Sequence, residues 1–301
     1  AAAQAFAAAS ARAYQVRAAA FSPQTPTQHQ LSRPVSLHPA LRLASRLVVA
    51  SSPAAETPAQ WAALQATPGV GAVVTKTFTQ RPIRNEEAVQ VRCTDTLAIN
   101  HVALHNPGMH RVRAWLETTN KSATACKAPL LLSVLVQDGD DAEEWVADVG
   151  RLAASASVAG MELNLRCPNA APATAASWQI MARMYEAAVA ASFPVGLKLP
   201  LSMTGTQLAE VLSRLPQVSY VVCGNGVPGR VVDGSNKSVL SAPVGSVTGS
   251  AANHAMALAM VRSILPVCRR FEVAVIGCGG VAAPEDAAAF VAEGAAAVAV
   301  G

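Results

Sequence analysis

The stretch Glu162-Leu163-Asn164-Leu165-Arg166-Cys167-Pro168-Asn169 decides both the fold and the position of the site. Gly160–Leu165 predicts a buried strand, and Pro168 ends it because proline cannot donate a hydrogen bond to a strand ladder. Amides, a thiol and a charge follow directly. In barrels of parallel strands, the carboxyl end of a strand is where the chemistry lies. The stretch therefore predicts a strand with a functional site immediately after it.

A regular alternation of strands and helices surrounds this stretch. Eight apolar segments predict strands, at residues 47–51, 71–77, 129–136, 160–165, 194–199, 219–223, 273–277 and 296–300. Near-continuous Val, Ile, Leu and Ala are typical of parallel strands that are covered on both faces. Eight such strands, with helices between them, favour an α/β fold of the (β/α)8 or TIM barrel type over an open doubly wound sheet.

The eighth strand is followed only by Gly301. The sequence therefore predicts a barrel that lacks its eighth helix, and we expect apolar surface to remain between the first and seventh helices. That surface would be covered by the N-terminal arm, by another chain or by residues beyond this sequence.

Residues 1–45 predict an irregular extension ahead of a barrel domain at 46–301. Residues 1–21 are rich in alanine, contain arginine and serine and lack acids, as mitochondrial transit peptides do. The prolines in residues 22–39 suit an extended arm. We expect a mitochondrial location, on the matrix side. The arm is either a disordered presequence remnant, or held by a partner protein, or wrapped around its own barrel.

Composition narrows the class of protein. The chain is 51% hydrophobic and carries a net charge of +4, but residues 1–46 hold five arginines and no acid. The rest has 18 basic against 19 acidic residues, so the barrel gives no electrostatic reason to expect nucleic acid. The six cysteines form no Cys-x-x-Cys pair, which indicates a reducing compartment without structural zinc. No apolar run predicts a membrane span.

Polar side chains collect at the predicted strand ends. They are two lysines, one thiol and four amides, namely Lys76, Lys198, Cys167, Asn100, Asn164, Asn169 and Asn225. Amides donate and accept hydrogen bonds in one plane, which suits a polar ring, and lysines suit an anion. The Gly-x-Gly-Gly turn at 277–280 lets backbone N–H groups approach a phosphate. His101 and His105 lack a third ligand, so no metal site is predicted.

The same segments resemble the class 1 dihydroorotate dehydrogenase family. The stretch at 162–169 is similar to the family's Asn-Leu-Ser-Cys-Pro-Asn strand. Further matches to its Thr-Lys-Ser, Ile-Asn, Gly-Val-Lys-Leu-Pro and Gly-x-Gly-Gly-Val segments lie at 75–77, 99–100, 196–200 and 277–281. The resemblance runs in order from about residue 46 to residue 301.

The resemblance implies an FMN enzyme of pyrimidine biosynthesis that oxidises dihydroorotate to orotate. Cys167 would take a proton from the substrate ring, Lys198 would stabilise the reduced flavin, and Lys76 would contact the flavin ring. The amides would hold the orotate ring, through Asn100, Asn164, Asn169 and Asn225. Three glycines would line the FMN phosphate, at Gly279, Gly280 and Gly301.

Several positions depart from the family pattern. Arg166 replaces a serine beside Cys167, where a guanidinium could favour the thiolate or fill the pocket. Pro53 stands where a glycine turn meets the flavin, and it has no N–H. Gly226 replaces a serine that touches substrate, and residues 245–249 lack the paired glycines. These departures fall mostly on contacts to the cofactor.

Two functional hypotheses follow. The first is a structural accessory subunit, a pseudoenzyme, of a mitochondrial assembly such as one of the respiratory chain, with FMN binding weakened or lost. Partner subunits would bind residues 1–45 and the surface left by the missing helix. The second is an active FMN oxidoreductase that converts dihydroorotate to orotate with Cys167 as base. A module that binds a flavin or phosphate ligand of other specificity is a third reading.

Overall fold

The computed structural model describes residues 26–84, 90–93, 98–101, 104–119, 128–165, 174–242 and 244–301. The strands within these ranges are β1 (Val35–His38), β2 (Leu41–Leu43), β3 (Leu47–Val49), β4 (Ala72–Val74), β5 (Gln90–Cys93), β6 (Ala98–His101), β7 (Leu130–Val134), β8 (Gly160–Asn164), β9 (Val195–Leu199), β10 (Tyr220–Cys223), β11 (Val227–Gly229), β12 (Gly245–Thr248), β13 (Ala274–Cys278) and β14 (Ala297–Val300).

The helices within the same ranges are α1 (Pro26–Leu31), α2 (Pro58–Gln65), α3 (Gly108–Thr119), α4 (Ala142–Ala153), α5 (Ala175–Ala190), α6 (Gly205–Arg214), α7 (Ala251–Arg270) and α8 (Pro284–Glu293). Side-chain caps start several of them. Thr174 accepts from the backbone N–H of Ser177 at the start of α5, and Thr204 accepts from that of Gln207 at the start of α6. Such caps satisfy backbone donors that a helix leaves free at its first turn.

Eight of the strands close into a parallel barrel. Their order around the barrel is β3, β4, β7, β8, β9, β10, β13 and β14, after which β14 pairs with β3. The predicted (β/α)8 barrel is therefore confirmed, with strands shorter than predicted, as at β4.

Side chains alternate between the inside and the outside of the barrel, because successive residues of a strand point to opposite faces. On β8, Met161 and Leu163 belong to the outer core between strands and helices. Glu162 and Asn164 therefore face the barrel interior, as does Lys198 on β9. The lower interior is filled by an inner apolar cluster that includes Leu131, Val222 and Ile276. Polar groups thus lie above an apolar floor.

The N-terminal arm packs on its own barrel from Pro26 onwards. Helix α1 contacts α8 and buries Leu31 in the outer core. Strands β1 and β2 form an antiparallel hairpin whose leucines join the inner cluster, at Leu37, Leu41 and Leu43. The segment predicted to be irregular therefore has regular structure over residues 26–43, because a leucine-bearing hairpin covers the open bottom of the barrel. Residues 1–25 lie outside the described part.

A second, antiparallel sheet lies at the carboxyl rim of the barrel. Its strand order is β11, β12, β6 and β5. The sequence predicts one irregular connection over residues 79–108, and this expectation is wrong for β5 and β6. Strand β5 pairs with β6, and β6 pairs in turn with β12, almost 150 residues later in the chain, so no local pattern predicts the sheet. Strand β11 begins at Val227, two residues after Asn225, which places the sheet beside the predicted site.

Helix α7 is long and apolar enough, by length and composition alone, to cross a membrane. Its apolar residues have another explanation, since Ala257, Val261, Ile264 and Cys268 are buried in the outer core. The helix contacts β13 and β10 along this face. Packing on the barrel therefore accounts for the apolar residues of this face.

Candidate functional site

The side chains at the rim come from neighbouring strands of the barrel. Asn164 ends β8, Lys198 lies one residue before the end of β9, and the two are directly in register. Asn225 follows β10, and its Nδ2 donates to Oδ1 of Asn164 at 2.9 Å. Lys76 lies two residues beyond β4. The structure therefore brings these four predicted residues to the same end of one barrel.

Lys198 is a buried cation with few partners. Lys198 is 6% exposed, and its ammonium has no hydrogen-bond partner among the residues that the structure describes. The charge that acts on it inside the barrel is the carboxylate of Glu162. A buried charge ordinarily requires a compensating partner. Lys198 is therefore placed to meet an anionic or electron-rich group at the mouth.

Lys76 differs from Lys198 because it is paired. Its Nζ lies 3.1 Å from Oε1 of Glu56, and its backbone N–H donates to the carbonyl of Ala55 at 2.7 Å. Burial lowers the pKa of Lys76, and the Glu56 carboxylate acts to raise it. Glu56 was not among the predicted site residues, because it is 20 residues away in the chain and no pattern links it to Lys76.

A chain of hydroxyl groups runs from the rim into the barrel. Oγ1 of Thr77 accepts from Nδ2 of Asn164 at 3.2 Å and lies 3.0 Å from the hydroxyl of Ser51. The same Oγ1 lies 2.9 Å from Oγ of Ser133, which donates to Oε1 of Glu162 at 3.4 Å. The rim amide is thus connected to a carboxylate deep in the barrel.

Glu162 is the most deeply placed charge of this group, at 1% exposure. Burial raises the pKa of Glu162, while the charge of Lys198 and the hydrogen bond from Ser133 act to lower it. The Tyr220 ring lies against Gly196, where any Cβ would collide with it. Burial, and then Glu162, hold the pKa of Tyr220 well above its usual range. Glu162 was not among the predicted site residues, although a carboxylate inside an apolar strand was a usable signal.

The predicted phosphate glycines lie where β13, β14 and β3 end. Gly279 and Gly280 have φ of 132° and 62°, a region that favours glycine. A Cβ at Gly280 would lie 2.6 Å from the backbone nitrogen of His254, in the first turn of α7. Gly301 follows β14, and a Cβ there would lie 3.5 Å from Cβ of Ala50. The turn at Gly279 and Gly280 therefore has no side chains and packs against the N-terminus of α7.

Asn100 lies on the second sheet rather than on the barrel. It pairs in register with Ser246 of β12. Ser246 packs directly on Gly226, where a Cβ would collide with its hydroxyl. Asn100 is thus one strand away from the loop that carries Asn225.

The remaining predicted residues, Cys167 and Asn169, lie outside the described residues, so their roles stay predictions. The strand that precedes them ends at Asn164, one residue earlier than predicted, and Leu165 after it is buried. In the described ranges, no group of three or more His, Cys, Asp or Glu side chains could hold a metal ion.

Comparison with known proteins identifies the family. The family model described as dihydroorotate dehydrogenase matches residues 39–301. The chain is 33% identical over 243 residues to the dihydroorotate dehydrogenase (fumarate) of Trypanosoma cruzi, covering 77% of this chain and 74% of that protein. It is 31% identical over 242 residues to dihydroorotate dehydrogenase A (fumarate) of Lacticaseibacillus paracasei, covering 77% and 79%.

Solved structures agree at the level of the fold. DHODH from Eimeria tenella in complex with ferulenol superposes with a TM-score of 0.70 at 15% identity, covering 96% of this chain and 84% of that one. The ligand-free form from the same organism gives 0.67 at 18% identity, covering 87% and 79%. Together, the matched sequence length and the shared barrel establish that the chain belongs to the dihydroorotate dehydrogenase family.

Proposed function

We propose that the protein is an FMN-dependent oxidoreductase that converts dihydroorotate to orotate. The observation that carries this proposal is the convergence of Lys198, Asn164 and Asn225 at one end of the barrel, with the two amides joined at 2.9 Å. The relatives support it through their names, which specify dihydroorotate dehydrogenases that use fumarate or NAD(+).

The described residues fit FMN as a cofactor. A buried ammonium without a hydrogen-bond partner in the described ranges, at Lys198, suits the electron-rich ring. The bare turn at Gly279 and Gly280, beside the start of α7, suits a phosphate. Lys76 and Lys198 would hold the ring, and Gly279, Gly280 and Gly301 the phosphate. When bound, FMN supplies a two-electron acceptor.

The side chains of this protein divide the remaining work. The amides of Asn164 and Asn225, with those predicted at Asn100 and Asn169, bind the carbonyl and N–H groups of the substrate ring. Cys167, as thiolate, accepts the proton that leaves a ring carbon as a hydride leaves its neighbour, and the ring gains a double bond. Lys198 stabilises the negative charge that results at the mouth.

Replacement of the proposed base tests this function. FMN-loaded protein is mixed anaerobically with dihydroorotate, and flavin absorbance is followed in the wild type and in Cys167→Ala. We expect the variant to bind FMN but to be reduced about 10²- to 10⁴-fold more slowly, the usual contribution of a general base. The matched control is Cys268→Ala, a thiol buried on α7 in the outer core. Equal reduction rates in Cys167→Ala and the wild type would contradict the proposal.

A second candidate is the accessory subunit with weakened FMN binding, located in the mitochondrial matrix and bound to partner subunits. The observation that favours it is the ion pair of Lys76 with Glu56, because a carboxylate there competes with an anionic cofactor for the lysine. Pro53, which begins the turn Pro53–Ala55, also offers no N–H.

The two candidates differ in the colour and mass of the purified chain. A colourless protein that co-purifies with larger partners, and that gains FMN when Glu56→Gln frees Lys76, would favour the accessory role. Stoichiometric flavin in the wild type, with no gain from Glu56→Gln, would contradict it. Glu117→Gln, an exposed carboxylate on α3, is the control.

A further inference from the structure

We propose that Glu162 is a positioning residue, which sets the direction of a hydrogen-bond chain and thereby orients the amides of Asn164 and Asn225 toward the substrate ring. The proposal rests on the proposed function, because it concerns how the same site recognises the substrate ring. It adds a residue that does not touch the substrate.

The chain is continuous from the carboxylate to the rim. Oγ of Ser133 donates to Oε1 of Glu162 at 3.4 Å, and lies 2.9 Å from Oγ1 of Thr77. Thr77 Oγ1 is 3.2 Å from Nδ2 of Asn164, whose Oδ1 is 2.9 Å from Nδ2 of Asn225. Each of these links joins a different element of the barrel, from β7 and β8 to the loops after β4 and β10.

The number of available protons fixes the direction of this chain. An ionised carboxylate only accepts, so Ser133 gives its one hydroxyl proton to Glu162. Ser133 then accepts from Thr77, whose single proton is also used, so that the hydroxyl of Ser51, 3.0 Å from Thr77 Oγ1, must donate to Thr77. Thr77 can therefore only accept from Asn164, which must present its NH₂ group to Thr77 and its oxygen to Asn225. The charge of Glu162 thus determines which end of each amide faces which neighbour.

A donor at position 162 removes this constraint. A protonated carboxyl or a glutamine amide could donate to Ser133, which could then donate to Thr77, which could donate to Asn164. The amide of Asn164 would turn over, and its Oδ1 would no longer accept from Nδ2 of Asn225. Because a ring with carbonyl and N–H groups recognises the pattern of donors and acceptors, mixed orientations would weaken its binding.

The groups that face Glu162 from the neighbouring strands are Lys198, Tyr220 and Cys278. Among them Lys198 is the cation, and it favours the carboxylate. Burial nonetheless raises the pKa of Glu162, so the carboxylate is lost at a higher pH than for a free side chain. We expect the affinity for the ring to fall as the pH falls through that raised pKa, and to lose this dependence in Glu162→Gln.

Orotate affinity, and KM and kcat for dihydroorotate, are measured in the wild type, Glu162→Gln, Thr77→Val and Thr77→Ser. Both of the first two variants should weaken orotate binding about 10- to 100-fold, the value of one or two hydrogen bonds to a polar ligand. KM should rise more than kcat falls. Thr77→Ser, which keeps the hydroxyl, should restore binding. The control is Asp148→Asn, an equally buried carboxylate that pairs with Arg113 and Arg151 on the outside of the barrel.

Two results would overturn the proposal. One is orotate affinity equal to that of the wild type in both Glu162→Gln and Thr77→Val. The other is a loss in Glu162→Gln alone, since this would assign the effect to the charge near Lys198 rather than to the chain.

Failure of the proposed function is distinguishable from failure of this inference. If the wild-type protein binds no orotate, the side-chain amide resonances of Asn164 and Asn225 in the ¹⁵N-labelled chain still report on the hydrogen bonds. We expect Glu162→Gln and Thr77→Val to shift these resonances and Asp148→Asn to leave them in place. Unshifted resonances in the first two variants would overturn the chain whatever the function.

Discussion

Two buried lysines lie at the rim of the barrel, and their surroundings differ. Lys76 has a carboxylate at 3.1 Å, from Glu56. Lys198 is influenced by Glu162, but no carboxylate in the described residues lies within ion-pair distance of it. The positive charge of Lys198 is therefore available to an anionic ligand, whereas the charge of Lys76 is largely balanced by Glu56.

Removal of the Lys198 charge tests its role. Lys198→Met keeps much of the buried volume but removes the cation that opposes negative charge at the mouth. We expect dihydroorotate to reduce bound flavin about 10²- to 10³-fold more slowly, as for the loss of one electrostatic contact in a transition state. Stopped-flow absorbance measures the rate, and the exposed Lys237→Met is the control. An unchanged rate in Lys198→Met would remove Lys198 from the mechanism.

The rim residues were predictable from the sequence only in part. Lys198, Asn164 and Asn225 follow from their positions at the ends of apolar strands. Glu56, Thr77 and Ser133 do not, since their contacts join segments 20 to 87 residues apart. Such contacts depend on how strands are arranged around a closed barrel, which no local pattern records.

At the scale of elements, the hairpin β1–β2 is the clearest addition to the sequence analysis. Its leucines fill the end of the barrel opposite the site, in contact with the inner apolar cluster. The alternation Leu41, Arg42, Leu43, with buried, exposed and buried side chains, is typical of a half-buried strand. The pattern was hidden because the segment is short and lies among prolines.

Truncation of Leu41 should therefore destabilise the whole barrel. Leu41→Ala removes a side chain that is 1% exposed, and we expect a loss of about 2–5 kcal/mol in the free energy of unfolding. Urea denaturation measures it, with the adjacent, exposed Arg42→Ala as control. A loss below about 1 kcal/mol would indicate that the hairpin is not part of the barrel core.

The turn after β13 offers a second test at this scale. Gly280 has φ of 62°, and its Cβ position is blocked by backbone atoms of α7. We expect Gly280→Ala to cost at least about 1–2 kcal/mol and to weaken FMN binding, since the turn must move. Thermal unfolding and fluorescence titration with FMN measure the two effects. Gly234→Ala is the matched control, because a Cβ there meets nothing within 4 Å. Wild-type FMN affinity in Gly280→Ala would contradict a phosphate site at this turn.

At the scale of the whole molecule, periodicity was sufficient for the barrel and insufficient for the sheet above it. Each barrel strand is an apolar run that lies beside the barrel strand preceding or following it in the chain. Eight such runs therefore predict a closed barrel. The sheet of β11, β12, β6 and β5 joins segments from both halves of the chain and contains strands of three or four residues. Residues 26–45 likewise pack on the barrel through tertiary contacts, which local periodicity does not predict.

The expected mitochondrial location and partner subunits stay predictions, because they depend on residues 1–25, which lie outside the described part, and on contacts with other chains. Family membership has a firmer basis, in a match from residue 39 to residue 301. It favours the enzymatic proposal over the accessory one, since the matched relatives are named as dehydrogenases.

The most direct measurement is an anaerobic titration of the FMN-loaded protein with dihydroorotate, with flavin absorbance and orotate followed together. The account predicts that the oxidised flavin band disappears in proportion to the dihydroorotate added, with one orotate formed for each flavin reduced. A flavin that dithionite bleaches but dihydroorotate leaves oxidised would contradict it.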